Sequence, residues 1–284
     1  MKSIANRGRF LSVSLGATSS PKDALVDVVA TRETASQLKE LALLGFGVIA
    51  VVGAGGLGRQ YLAMAKRYTN ENRALDEVGI EASRINASML INSFHLPHSF
   101  LVNQEPLRTL SQVKSYISRL HETRDPREHH IFEERGFVAI TGGLEPGLTS
   151  DSSAAKVATE LDCPLIIVST MGGIFESDPL ATVAKGRESP KLLSRIGRDY
   201  LKTVILKRAE KKGDEQESEG NETPHVLDVP TCRILLDVER ERRATFRAAV
   251  TNYKAIAETA LILTSRKTPA VRPKRPHFTL ISLL

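Results

Sequence analysis

The chain has 284 residues, 41% hydrophobic and 25% charged, which suits one large globular domain or two small ones. Its formal net charge of +6 fits anionic ligands such as nucleotides or nucleic acid, while an aromatic content of 5% argues against a stacking platform for bases. Two cysteines, Cys163 and Cys232, exclude a disulfide framework, and no stretch nears the roughly 18 apolar residues of a membrane span.

The N-terminus has no acid before Asp23 and carries Lys2, Arg7, Arg9 and several serines. That composition is similar to a mitochondrial transit peptide, so a mitochondrial matrix address stands beside a cytoplasmic one. "FLSVSL" (10–15) reads as the first strand and is followed by a helical pattern over 21–44. "GVIAVV" (47–52) is the second strand, with helices expected over 56–68 and 80–94. "SFLV" (99–102) is a third strand, and a helix follows over 106–121. "HETRDPREHHIFEERG" (121–136) is dense in charge and reads as a solvated loop; its histidines lack the helical spacing of a metal site. "FVAIT" (137–141), a helix over 151–161 and "PLIIVST" (164–170) continue the alternation. "AEKKGDEQESEGNETP" (209–224) is almost free of apolar residues and predicts a disordered insert. "SRKTPAVRPKRPHFTLISLL" reads as a basic tail leaving the domain, with nucleic-acid phosphates or a partner protein as candidate contacts. Near-continuous apolar strands alternating with helices predict a mostly parallel sheet covered on both faces.

The stretch "VIAVVGAGGLGRQY" places Gly53, Gly55 and Gly58 at the G-x-G-x-x-G spacing of a dinucleotide loop. That reading needs an acid at the end of a second strand about 20 residues on. Asp76 stands near that distance, but the residues before it are helix and polar turn. Three other glycine-bearing stretches follow strands: "SLGATS" (14–19), "TGGLEPGLTSDSSAA" (141–155) and "STMGGIFESDP" (169–179). Backbone N–H groups and helix N-termini hold phosphate without side-chain charge, and open α/β sheets bind ligands at the carboxyl ends of strands. The expectation is a cleft for polyphosphate built by several loops.

Four segments carry a resemblance to the amino acid kinase superfamily, most closely to archaeal-type uridylate (UMP) kinases. Ser14–Thr18 sits where that family has a Gly-Gly-Ser turn, and Gly53–Tyr61 corresponds to its triple-glycine loop followed by an arginine and an aromatic. "LDEVGIEASRINASMLI" (75–91) is similar to its nucleotide-acceptor helix, and residues 142–179 follow its longest motif. "HVLDVPTCRILL" (225–236) is a weaker match to a late helix start. The resemblance implies a three-layer α/β/α sandwich with a mostly parallel sheet of about eight strands. The domain would span 10–265, after an extension over 1–9 and before a tail over 266–284.

The activity implied is transfer of the γ-phosphoryl group of ATP, with Mg²⁺, to a nucleoside monophosphate, a reaction of positioning and charge stabilisation. The resemblance assigns Asp151 and Arg59 to the transfer site. It assigns Gly53, Gly55, Asp76, Gly79 and Thr149 to the acceptor, and Gly16, Phe175 and Asp178 to ATP. Departures cluster at the phosphate contacts. Ala17-Thr18 replace Gly-Ser, and Ala54 replaces the middle glycine of the second loop, where a Cβ threatens a positive φ or the approach of a phosphate. The first strand has no lysine, leaving Arg59, Lys156 or Mg²⁺ to compensate. Two outcomes therefore stand: a UMP-type kinase, or an inactive relative serving as a structural or regulatory subunit of a larger complex, with an oligomer or a place in a larger assembly expected and the altered inserts arguing against a family-like one.

Overall fold

The computed structural model describes residues 10–16, 27–94, 101–122, 136–176, 190–206, 227–239, 242–243, 245–265 and 278–283. Its strands are β1 (Phe10–Leu15), β2 (Gly47–Val52), β3 (Leu101–Val102), β4 (Phe137–Thr141), β5 (Leu165–Val168), β6 (Arg195–Gly197), β7 (Ala248–Thr251) and β8 (Thr279–Ser282). Its main helices are α1 (Val28–Leu43), α2 (Gly55–Ala65), α3 (Asn72–Ser93), α4 (Leu110–Glu122), α5 (Ser150–Leu161), α6 (Val229–Leu236) and α7 (Ile256–Thr264). A short helical turn, Arg198–Tyr200, runs into a π-helical turn, Leu201–Leu206.

The strands form one eight-stranded sheet in the order β3-β4-β2-β1-β5-β7-β8-β6. From β3 to β7 all neighbours are parallel; β8 is antiparallel to β7 and parallel to β6. Residues 10–15, 47–52, 137–141 and 165–168 are buried throughout, as strands covered on both faces must be. Alternate side chains serve two cores. Phe10, Ile49, Val51, Phe137, Ile167 and Val250 face one core, closed by Val113, Tyr116, Ile117 and Leu120 of α4 and by α5 and α6. Leu11, Val13, Val48, Ile140, Ile166 and Ala249 face the other, closed by α1, α3 and α7. This is the three-layer α/β/α sandwich expected.

Helix ends follow local chemistry. Asp27 caps α1 by accepting from the Ala30 N–H at 2.9 Å, so the helix starts at Val28 although the pattern suggested 21. Helix α3 starts eight residues before the expected 80, because nothing in "NRALDEVG" breaks it and Gly79 is tolerated inside. Helix α4 starts at Leu110 and not at 106, because Leu107 is spent on a parallel bridge to Thr141. On β1, Ser12 and Ser14 take the face toward α5, where bulky residues would be expected. They meet a helix rich in small residues, and Ser12 Oγ donates to the Ala154 carbonyl at 2.8 Å, which brings α5 close to the sheet.

The C-terminus corrects a sequence expectation. Residues 279–282 do not leave the domain; they insert between β7 and β6, with Thr279 and Ile281 buried. The predicted insert over 209–224 and the extension over 1–9 lie outside the described residues, as do Arg272–His277 of the basic segment.

Candidate functional site

The chain leaves β1 toward β2 on one side and returns to β5 on the other, so β1 is a switch point of the sheet. The carboxyl ends of β4, β2, β1 and β5 lie side by side there. Close packing draws their loops together. A Cβ added to Gly53 would stand 3.0 Å from Ser150 Oγ and 3.3 Å from the Gly16 backbone. One added to Gly16 would lie 3.7 Å from the Asp151 carboxylate and 3.6 Å from the Val168 carbonyl. Gly16, Gly53, Ser150 and Asp151 thus share one wall of the cleft, built from three strand ends and the first turn of α5.

Asp151 is the centre of this group. Ser14 Oγ, at the end of β1, donates to its Oδ1 at 2.5 Å. The carboxyl is surrounded by protein atoms although the residue keeps some surface. Burial, then the nearby charge of Asp228, push its pKa up to about 7, against the lowering pull of the Ser14 hydrogen bond. No cationic side chain bonds Asp151 among the described residues. Asp228 caps α6, accepting from the Thr231 N–H at 2.7 Å, and also accepts from the Thr149 hydroxyl. Thr149 caps α5 in a reciprocal box with Ser152. The starts of α5 and α6 therefore meet through the Thr149 hydroxyl, with Asp228 near enough to Asp151 for their charges to interact.

The second glycine loop corrects two expectations. Ala54 has φ −74° and ψ −23°, an ordinary helical conformation, so its Cβ forces no strain. That Cβ turns toward α2: a Cβ on Gly58 would stand 2.3 Å from it. The positive φ of the loop falls on Gly55, at +58°. The Gly53 N–H is already bonded to the Leu15 carbonyl at 2.9 Å, so the phosphate donors left in this loop are the first N–H groups of α2, from Gly55 onward.

The acceptor residues are partly gathered. Asp76, inside α3 and not at a strand end, accepts from the Gly147 N–H at 2.8 Å, which removes the dinucleotide reading. Gly79 faces open space, with nothing within 4 Å of an added Cβ. Arg59 lies in the second turn of α2, exposed and without an ion pair among the described residues. Lys156 is committed to Glu145, which leaves it a poor substitute for a lysine of the first strand. Phe175 is half-buried and bridges Leu192 on the β5 side; Asp178 lies outside the described residues. Cys163 and Cys232 are buried, and burial pushes both thiols up to about 12, so neither offers a nucleophile near neutral pH.

Sequence reasoning passed over Ser14, Ser83, Asn86 and Asp228. Asp228 had a readable signal, an acid two residues before Pro230 at a helix start. Ser83 accepts from the Gly143 N–H at 2.6 Å, and Asn86 bonds the Gly53 and Ala54 carbonyls; only the packing of α3 over both loops reveals these roles.

Comparison with known proteins agrees with this geometry. Uridylate kinase of Haloquadratum walsbyi is 30% identical over 155 residues, 54% of this chain and 56% of that protein. Uridylate kinase of Methanopyrus kandleri is 31% identical over 148 residues, 52% and 57% of the two chains. The chain thus spans a little over half the length of these curated relatives. The crystal structure of uridylate kinase from Archaeoglobus fulgidus superposes with TM-score 0.62 at 19% identity, covering 96% of this chain and 99% of that one. UMP kinase from Ureaplasma parvum gives 0.61 at 16%, with the same coverage. At those identities the structures speak for the fold. The family model described as "Amino acid kinase family" matches residues 13–214, from the middle of β1 past β6, and with the switch-point cleft it places the chain in the amino acid kinase family.

Proposed function

We propose that the cleft binds ATP and a UMP-type nucleoside monophosphate and transfers the γ-phosphoryl group to the acceptor phosphate. The observation that carries this reading is the gathering of Gly16, Gly53, Ser150 and Asp151 at adjacent strand ends, beside the uncapped N-terminus of α2. Backbone donors in a fixed array stabilise charge that develops on a phosphoryl group without reorganising. The relatives named uridylate kinase support the choice of acceptor.

The chain's residues would divide the work as follows. The N–H groups at the start of α2 would meet the acceptor phosphate, and Arg59 would fold in as a two-pronged partner for its oxygens. Gly79 would leave room for the base and ribose, Asp76 would compete between the ribose and Gly147, and Thr149 would close that side. Gly16 would lie under the transferring group, with Phe175 and Asp178 toward the ATP base. Asp151 would orient the phosphates across the cleft. Mg²⁺ would be faced by Asp151 and would supply charge neutralisation on the phosphates.

A second reading is favoured by one observation: among the described residues Asp151 is answered by Ser14 and not by a cation. On this reading the protein binds nucleotide without turning it over and serves as a regulatory or structural subunit. A coupled assay with ATP, Mg²⁺ and UMP separates the two. Turnover in the intact protein, lost at least about 100-fold in Asp151→Ala, is expected of the kinase. UMP binding by calorimetry with no turnover would select the second reading, and neither binding nor turnover would sink both.

A further inference from the structure

We propose that Asn86 is a positioning residue that presets the glycine loop after β2 for an anion. It holds the loop's carbonyls back, so that the free N–H groups at the start of α2 face the cleft. The inference rests on the phosphate reading of that cleft.

Asn86 reaches from α3 and donates through Nδ2 to the carbonyl of Gly53 at 2.9 Å and to that of Ala54 at 3.0 Å. Both acceptors are carbonyls, so only the NH₂ end of the amide can face them, and the side chain has one allowed orientation. That orientation leaves Asn86 Oδ1 buried and without a hydrogen-bond partner among the described residues. An unpaired buried acceptor is destabilising, so the clamp is kept against a local cost. From the opposite side the Gly53 N–H is bonded to the Leu15 carbonyl of β1. The loop is therefore tied to the sheet and to α3 at once.

What remains free is defined by this tie. Helix α1 is capped by Asp27, α5 by Thr149 and α6 by Asp228; α2, like α3 and α7, has no side-chain cap, and of these three it is the one that starts at the cleft. Its first N–H groups have no partner within the helix. Were the Gly53 and Ala54 carbonyls to swing into the cleft, their negative ends would oppose a phosphate. Asn86 prevents that swing at Gly53, and at Ala54 it acts with the Gly58 N–H, which bonds the same carbonyl at 2.9 Å; the loop is thus set before any ligand arrives, which lowers the reorganisation that binding requires. The same helix holds the facing wall, because Ser83 Oγ accepts from the Gly143 N–H at 2.6 Å and Asp76 from the Gly147 N–H at 2.8 Å. Helix α3 is thus the common support of both loops, and Asn86 is its contact with the anion-facing one.

The test compares Asn86→Asp, Asn86→Ala and a same-helix control, Ser88→Ala, whose hydroxyl bonds only the Arg84 carbonyl. Asn86→Asp keeps the shape but sets a carboxylate against two carbonyls. UMP binding is measured by calorimetry at a temperature where circular dichroism shows every variant folded. A loss of about tenfold or more in both Asn86 variants is expected, with Ser88→Ala within about twofold of the intact protein. UMP affinity unchanged by both Asn86 substitutions would overturn the proposal. If the intact protein binds neither UMP nor inorganic phosphate, the phosphate reading fails by itself, and amide hydrogen exchange then decides on the clamp. Faster exchange in Asn86→Ala at the Gly53 and Gly58 amides, which bond the Leu15 and Ala54 carbonyls, supports it, and unchanged protection there overturns it. A failure of Asn86→Asp to fold leaves Asn86→Ala to carry both measurements.

Discussion

Asp151 joins the chemistry of the cleft to the stability of the chain. Its carboxyl titrates near 7 in the folded protein and near 3.8 when unfolded, because burial and Asp228 disfavour the anion more than Ser14 Oγ favours it. Between those values the folded state holds a proton that the unfolded state has released. Stability conferred by the neutral acid is therefore complete below about pH 4 and declines as pH rises, until the loss levels off above about pH 7. The penalty at pH 8 is on the order of 4 kcal/mol. Asp151→Asn keeps an acceptor for Ser14 and cannot ionise. It is expected to stabilise the nucleotide-free protein in urea unfolding at pH 8 and to leave it little changed at pH 4. An equal gain at both values would show that charge is not the cause.

At the scale of elements, α2 shows how a substitution that looks damaging in sequence becomes harmless in space. Ala54 stands where the resembling family keeps glycine, yet its backbone is ordinary and its methyl packs toward Gly58. The constraint has moved one turn along the helix. Gly58→Ala would set two Cβ atoms 2.3 Å apart between α2 and α3, and should cost about 1–3 kcal/mol by overpacking. Ala54→Gly in that background removes the clash and lets the helix propensity of alanine at 58, worth about 1 kcal/mol, appear. Chemical denaturation of both single variants and the double variant checks the reversal of sign. Ala54→Gly alone should leave UMP affinity within about twofold, since that methyl turns toward Gly58. The element pattern was legible because "GVIAVV" and "FVAIT" are largely apolar on both faces, "FLSVSL" is apolar on one, and none follows a helical period. The strand-end places of Gly16 and Gly53 were legible because glycine-bearing stretches follow apolar runs, whereas Asp151 was singled out through the family resemblance. Asn86 and Ser83 were not, because a polar residue inside a helix looks solvent-facing until a loop 33 or 60 residues away packs against it. Ala54 was misread for the same reason: φ and the direction of a Cβ depend on the neighbouring helix, which no spacing rule contains.

Across the whole molecule, the sheet closes with its last strand, and this is where the reading of composition failed. The run "RKTPAVRPKRP" has the charge and proline of a tail, and that signal masked the four residues "TLIS" beyond it. Long-range pairing outweighs local composition there: β8 bonds β7 on one side and β6 on the other, so it is an interior strand and β6 is the edge. Thr279 Oγ1 accepts from the Ile174 N–H at 2.8 Å and donates to the Leu193 carbonyl at 2.7 Å. Those bonds join β8 to the segment that carries Phe175, the residue proposed for the ATP side. Phe278, Ile281 and Leu283 are buried, and Ile281 and Leu283 belong to the core shared with α5. Ile281→Ala should therefore destabilise the chain by about 2–4 kcal/mol, the loss seen when a large buried aliphatic leaves a cavity. Thr279→Val keeps the shape and removes both bonds, leaving the Ile174 N–H unpaired in a buried place. If β8 supports the ATP side, Thr279→Val should weaken ATP binding more than UMP binding, because Gly53, Asp76 and Gly79 stand on the far side of β1. Calorimetry with each nucleotide gives the two affinities. Equal losses would mean that β8 stabilises the domain as a whole, and unchanged stability in Ile281→Ala would return residues 279–282 to the status of a tail.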